Sequence, residues 1–286
     1  MSGIVAYEPA DMTVTATGDC GMDVLSAALA EHRQWLPVDV AWPERTTAGD
    51  LVAQNLCGPL RASQGTVRDY LIGLRWRDRD GRLVSSGGRV VKNVAGYDLA
   101  KMHIGARGAF GEIVEATFKV RPKPAREVAV TFECASPSAA AEAALVVRDL
   151  VDPAWCVVRC GDGRSQVTAG VLGSDRVADV QSRVLVERWG ARREEGGEAR
   201  RLEVAREMAA LRLLVAVVPD RVHACLALLA ERGRKALSDT ASGRVFYDPA
   251  EGPPPAVDLP RRNEVAERLR RDLAAAFSAS AVAPDG

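Results

Sequence analysis

The stretch from Gly87 to Pro122, GGRVVKNVAGYDLAKMHIGARGAFGEIVEATFKVRP, decides the fold. It gathers Gly87, Gly88, Gly96, Gly105, Gly108 and Gly111 among ordinary core residues and closes on the alternating, β-branched run Glu112 to Val120. Glycine frees the backbone for positive φ and lets a ligand approach N–H groups that a Cβ would shield. The density therefore has two readings: main chain wrapped closely around something flat or anionic, or a pair of glycine-rich hairpin turns. The spacing of Gly105, Gly108 and Gly111 imitates a dinucleotide fingerprint. That motif needs a strand before it and a helix after it, so that pyrophosphate meets a helix N-terminus. Here the glycines lead into a strand, which argues against a Rossmann site.

Outward from this stretch, 286 residues suffice for a sizeable core and two domains. Lys plus Arg and Asp plus Glu each number 38, so no broad field favours nucleic acid or an anionic membrane. No apolar run reaches the roughly 18 residues of a membrane span, and the first residues carry no basic and apolar leader pattern. The expectation is a cytoplasmic protein without direct membrane insertion, able to sit at a membrane through partners. Six cysteines lie scattered in apolar surroundings. Cys156 and Cys160 fall on one face of a strand and read as small buried hydrophobes. With three histidines, none beside a cysteine, no metal or iron–sulfur ligand set assembles.

Periodicity predicts a strand over Met12 to Thr17 and an amphipathic helix over Met22 to Gln34, with Val24, Leu25, Ala28, Leu29 and His32 on one face. A strand over Tyr70 to Arg77 turns at Arg79-Asp80-Gly81 and returns through Leu83 to Ser85; a short helix spans Leu99 to Ile104. Further on, strands at Arg126 to Glu133, Ala154 to Cys160, Ser165 to Leu172, Leu211 to Val218 and Arg244 to Tyr247 alternate with helices at Pro137 to Leu150, Ser174 to Trp189, Glu198 to Ala210 and Asp220 to Arg232. The Arg-rich segments 192–206 and 261–271 are also rich in acids and read as solvated helix faces.

The segment KNVAGYDL at Lys92 to Leu99, the GxxGxxG run and the strand ending in Arg121-Pro122-Lys123-Pro124 resemble the flavin domain of the vanillyl-alcohol oxidase superfamily, also called PCMH-type. Asn55-Leu56-Cys57-Gly58-Pro59-Leu60-Arg61 and Gly65-Thr66-Val67-Arg68-Asp69 extend the resemblance, which is nearest to the glycolate oxidase FAD-binding subunits. It runs from about Ile4 to Pro124 and is weak beyond. The fold it implies is α+β: a partial PCMH-type FAD-binding domain over residues 1–124, then a ferredoxin-like α+β cap over 125–260 and a C-terminal helix and tail over 261–286.

The cofactor implied is non-covalent FAD, held by Thr47, Gly49, Asn55, Gly58, Pro59, Gly65, Thr66, Lys92, Gly108, Gly111, Ile113 and Val114. Backbone at Gly111, Ile113 and Val114 would hold the adenine end, and Lys92 would reach a phosphate or the flavin pyrimidine. No catalytic residue is assigned. The partners implied are a related FAD-binding catalytic subunit and an iron–sulfur subunit, with a 2-hydroxy acid as substrate of the assembly.

Several positions depart from the family pattern. Asp50 stands where relatives carry a second glycine, and a carboxylate there either repels an anionic cofactor or caps the helix that follows. Ala106 and Ala109 stand where relatives have hydroxyls, each worth about 0.5–1.5 kcal/mol as a hydrogen bond. Relatives also carry a glycine-rich phosphate loop ahead of the segment matching Gly3-Ile4-Val5; either the chain continues upstream, or this is a short form with weakened or lost flavin binding. The competing function is a non-catalytic assembly subunit with a degenerate flavin site.

Overall fold

In a computed structural model of the chain, the described residues are 3–88, 98–211, 213–216, 222–231 and 233–247. They divide into two compact units. Among the described residues, one gathers 3–57 and 65–123; the other takes Gly58–Gln64 together with those from 124 to 247.

In the first unit, β1 (Ile4–Glu8), β2 (Thr13–Thr17), β4 (Leu71–Arg77), β5 (Leu83–Gly87) and β6 (Glu112–Lys119) form an antiparallel sheet in the order β1-β2-β6-β4-β5. Its apolar face, with Val14, Ala16, Leu74, Ala116 and Phe118, clusters with Leu25 and Leu29 of α1 (Met22–Ala30) and Leu51 and Val52 of α2 (Ala48–Gln54). Helix α1 ends four residues earlier than its periodicity suggests. Arg33 takes φ of 53°, and Gln34–Trp35 becomes β3, paired with β7 (Arg121–Pro122). Val24 is exposed and Met22 takes its place inside, because the buried stripe runs through Met22, Leu25, Ala28 and Leu29. Tyr70 is fully buried but closes the short helix α4 (Val67–Tyr70) instead of opening the strand. Leu99–His103 is a tight 3₁₀ turn.

In the second unit, α3 (Arg61–Gln64) is followed much later by β8 (Arg126–Cys134), α5 (Pro137–Val151), β9 (Trp155–Gly161), β10 (Arg164–Gly173), α6 (Asp175–Trp189) and β11 (Arg192–Glu195). Strands β8 and β9 both run antiparallel to β10 lying between them, so they are parallel to each other and α5 is a crossover. The order β11-β8-β10-β9 with this βαββαβ succession is the ferredoxin-like arrangement. Beyond β9 the sheet continues through β13 (Ala236–Asp239) and β14 (Arg244–Tyr247) to β12 (Leu213–Ala216). Helix α8 (Val222–Glu231) joins α5 and α6 in the core on one face.

Ser136 and Ser174 cap α5 and α6 by accepting from the N–H groups of Ala139 and Val177. Asp152 and Gly190, both left-handed, end them. The solvated helix face expected over 192–206 begins instead as edge strand β11, and α7 (Gly197–Ala210) starts after the positive-φ Gly196. An edge strand tolerates the all-charged run Arg192-Arg193-Glu194-Glu195 because one of its sides needs no partner strand.

Helix α7 covers the other face of this sheet through a buried ion pair. Arg201 donates from Nε and Nη2 to Glu127 at 2.9 and 3.1 Å, and Trp155 Nε1 donates to the same carboxylate at 2.9 Å. Gly170 makes room for that indole, since a Cβ there would stand 1.9 Å from Trp155 Nε1.

Candidate functional site

The glycine-rich stretch folds back on the start and end of α2. Gly18 N donates to Val114 O at 2.7 Å, Gly49 N donates to Gly18 O at 2.8 Å, and Ala48 N donates to Cys20 O at 2.9 Å. Thr47, Gly49, Ile113 and Val114 are thereby brought together around one turn. Gly18 is the residue that sequence reasoning missed. A Cβ on it would lie 1.9 Å from Ile113 O, and its only sequence signal is a Gly-Asp turn at the end of a strand. At the far end of α2, Gly105 N reaches Val52 O at 3.0 Å and Arg107 N reaches Ala53 O at 2.9 Å, so the 105–107 loop lies against the helix C-terminus.

Asn55 sits at that terminus with φ of 52°, and its side-chain Oδ1 is buried without a hydrogen-bond donor among the described residues. A buried acceptor left unpaired costs about 1–3 kcal/mol, so this oxygen is suited to a donor that the described residues do not supply. Gly108, at φ of 78°, has no atom within 4 Å of where a Cβ would stand, whereas Gly111, at φ of 123°, would drive one to 2.0 Å from Arg77 O. Open space beside Gly108 and an unmatched acceptor at Asn55 fit a bound cofactor bearing N–H or O–H groups.

The two threonines of the expected site are occupied locally. Asp50 N donates to Thr47 Oγ1 at 3.1 Å, while Thr47 N and Oγ1 donate to Asp50 Oδ2 at 3.1 and 2.9 Å. Asp50 thus closes a capping box and spends its charge at the α2 N-terminus. Thr66 repeats the pattern, donating from N and Oγ1 to Asp69 Oδ2 at 2.8 and 3.1 Å. The Thr66 N–H, followed by the hydroxyl and the nearby lysines, holds the Asp69 carboxyl below the usual carboxylate range. Gly65, at φ of 93°, is required beside that box: a Cβ would meet Asp69 Oδ2 at 2.6 Å.

Gly58 and Pro59 are buried and belong, with Leu60 and Ser63, to the second unit, where Ser63 Oγ donates to Ala154 O. Lys92 and the Tyr97 next to it in the motif lie outside the described residues. Burial pushes the Cys156 thiol up to about 12 and raises Cys160 as well, which leaves both unreactive.

Residues 1–87 match the family model described as FAD binding domain. The chain is 33% identical over 186 residues to glycolate oxidase subunit GlcE of Escherichia coli, an alignment covering 62% of this chain and 53% of that one. It is 34% identical over 113 residues to glycolate oxidase subunit GlcD of Bacillus subtilis, covering 39% and 24%. It is 29% identical over 161 residues to D-lactate dehydrogenase of Archaeoglobus fulgidus, covering 56% and 32%. Among solved structures, alkyldihydroxyacetonephosphate synthase superposes over 97% of this chain and 63% of its own, with a TM-score of 0.68 at 15% identity, a likeness of fold.

Residues 1–87 thus match an FAD-binding domain, and FAD is the cofactor class to which the match points. The chain is similar to glycolate oxidase subunits, and it spans about half the length of GlcE. Among the described residues no helix is long and apolar enough to cross a membrane.

Proposed function

We propose that this chain is the FAD-binding subunit of a 2-hydroxy-acid oxidoreductase of the glycolate oxidase kind. The observation that carries the reading is the buried Asn55 Oδ1, unpaired among the described residues, against which the Gly105 turn packs, within a chain related to glycolate oxidase subunits. Asn55, Gly108 and the backbone at Gly111, Ile113 and Val114 would hold the cofactor, with Gly49, Gly58, Pro59 and Gly65 shaping the chain around it and Lys92 adding charge. Bound FAD supplies hydride acceptance and electron relay; the polypeptide orients it and tunes its potential. A related FAD-binding subunit oxidises the 2-hydroxy acid, and electrons pass to an iron–sulfur subunit. The setting is cytoplasmic, at the membrane surface through those partners.

A second reading, an assembly subunit with a degenerate site, draws on Ala106, Ala109 and the engagement of the Thr47 and Thr66 hydroxyls in capping boxes. Titration of the purified protein with FAD separates the two. Saturable flavin absorbance with a rise in Tm is expected for the cofactor subunit by mass action, and a colourless protein whose Tm ignores FAD would leave the assembly role.

A further inference from the structure

A cleft of about 190 Å³ opens in the first unit between the tip of the β4–β5 hairpin, the Leu99–His103 turn and the glycine turn that precedes β6. Its floor is Trp76, His103 and Phe110, and Val84, Leu99 and Met102 form its walls. The imidazole lies 4.5 Å from the Trp76 ring and 5.6 Å from the Phe110 ring, centroid to centroid. His103 is 3% exposed, yet no hydrogen bond among the described residues satisfies its ring nitrogens. Burial holds the ring neutral by lowering its pKa to about 4.

The charges at the mouth are already engaged. Asp78 Oδ1 accepts from the N–H groups of Asp80 and Arg82 at 2.9 and 2.8 Å, Asp80 faces Arg82 at 3.8 Å, and Arg79 Nη2 donates to Ala109 O at 3.3 Å. Little remains to balance a charge brought inside. What the cleft lacks is one polar group at His103 and apolar bulk beside two aromatic rings.

We propose that this cleft is a binding site for an uncharged aromatic ring carrying a single hydroxyl or carbonyl oxygen, hydrogen-bonded to His103 and packed against Trp76 and Phe110. Aromatic walls favour a ring that can meet them edge to face or offset. A neutral imidazole lining the cleft can donate to a carbonyl or accept from a hydroxyl. The proposal does not require the flavin reading, although Ala109 and Phe110 lie between the Gly108 and Gly111 of that reading.

The test is titration of the purified full chain with phenol, benzoquinone-free 4-hydroxybenzaldehyde held below its phenol pKa, benzene and benzoate, followed by tryptophan fluorescence and Tm. Phenol is expected to bind saturably and about tenfold or more tighter than benzoate, because a buried unpaired carboxylate is penalised. Replacing Trp76 by Phe should remove most of the fluorescence response, and His103→Leu should erase the preference for phenol over benzene. Ala109→Leu or Val84→Phe, which fill the cleft from opposite walls, should abolish binding. Equal affinity for phenol and benzoate in the unaltered protein would overturn the proposal, whatever the variants do. So would displacement of phenol by FAD, since the cleft would then be part of the flavin site.

Discussion

At the scale of single residues, the buried imidazole of His103 should impose a pH dependence on stability. The unfolded ring takes up a proton below its ordinary 6.5, while the folded one resists down to about 4. Protons therefore bind the unfolded chain more readily in that window, and stability present above it is lost as the pH falls from 6.5 toward 4, by about 2 kcal/mol near pH 5. Urea melts across this range should show the slope, and His103→Gln should flatten it. Glycines divide by the same local reasoning. Gly111→Ala, which forces a methyl to 2.0 Å from a backbone oxygen, should cost several times what Gly108→Ala costs, where the space is open and only the positive φ opposes the change. Thermal melts of the two variants compare them directly. These roles were partly legible: glycine density announced close backbone contact, but only coordinates separate a glycine pressed against Arg77 from one facing empty space.

Among the elements, Thr47–Asp50 and Thr66–Asp69 both form capping boxes, of which sequence reasoning weighs only the first as a helix start. Asp50, which in sequence could be either a repulsive neighbour of an anionic cofactor or a cap, is the cap. Asp50→Ala should lower stability by about 1 kcal/mol, with FAD affinity in the absorbance titration unchanged within error. Helix α7 is fastened differently. Arg201→Met takes the guanidinium from the buried Glu127 carboxylate and leaves it the Trp155 indole hydrogen bond, and the loss should reach about 3–5 kcal/mol in a denaturant melt. The long strands and amphipathic helices were readable because many positions repeat one period. Strands β11 and β13, four residues each, were not: the first is all charged and the second all buried, so neither alternates. Arg201 was hidden for a related reason, since an arginine in an Arg-rich helix gives no sign of which face meets a carboxylate 74 residues away.

On the scale of the whole molecule, the ferredoxin-like succession and the flavin-domain segment were visible in sequence because each repeats a pattern over tens of residues. The assignment of Gly58–Gln64 to the second unit was not, because its neighbours in space are remote in sequence. Expression of the chain from residue 124 onward should yield a poorly stable product, for want of Leu60 in its core and of the Ser63 contact to Ala154. A synthetic peptide spanning 56–66 should raise its Tm, and a Tm that ignores the peptide would show the excursion to be dispensable. The 91 residues between Ser63 and Ala154 also impose an order on biosynthesis. The ribosome delivers α3 long before the strand that receives it, so this short piece must wait undocked until β9 has emerged. A translational pause within that interval would leave the nascent protein with an open seam for chaperones to guard.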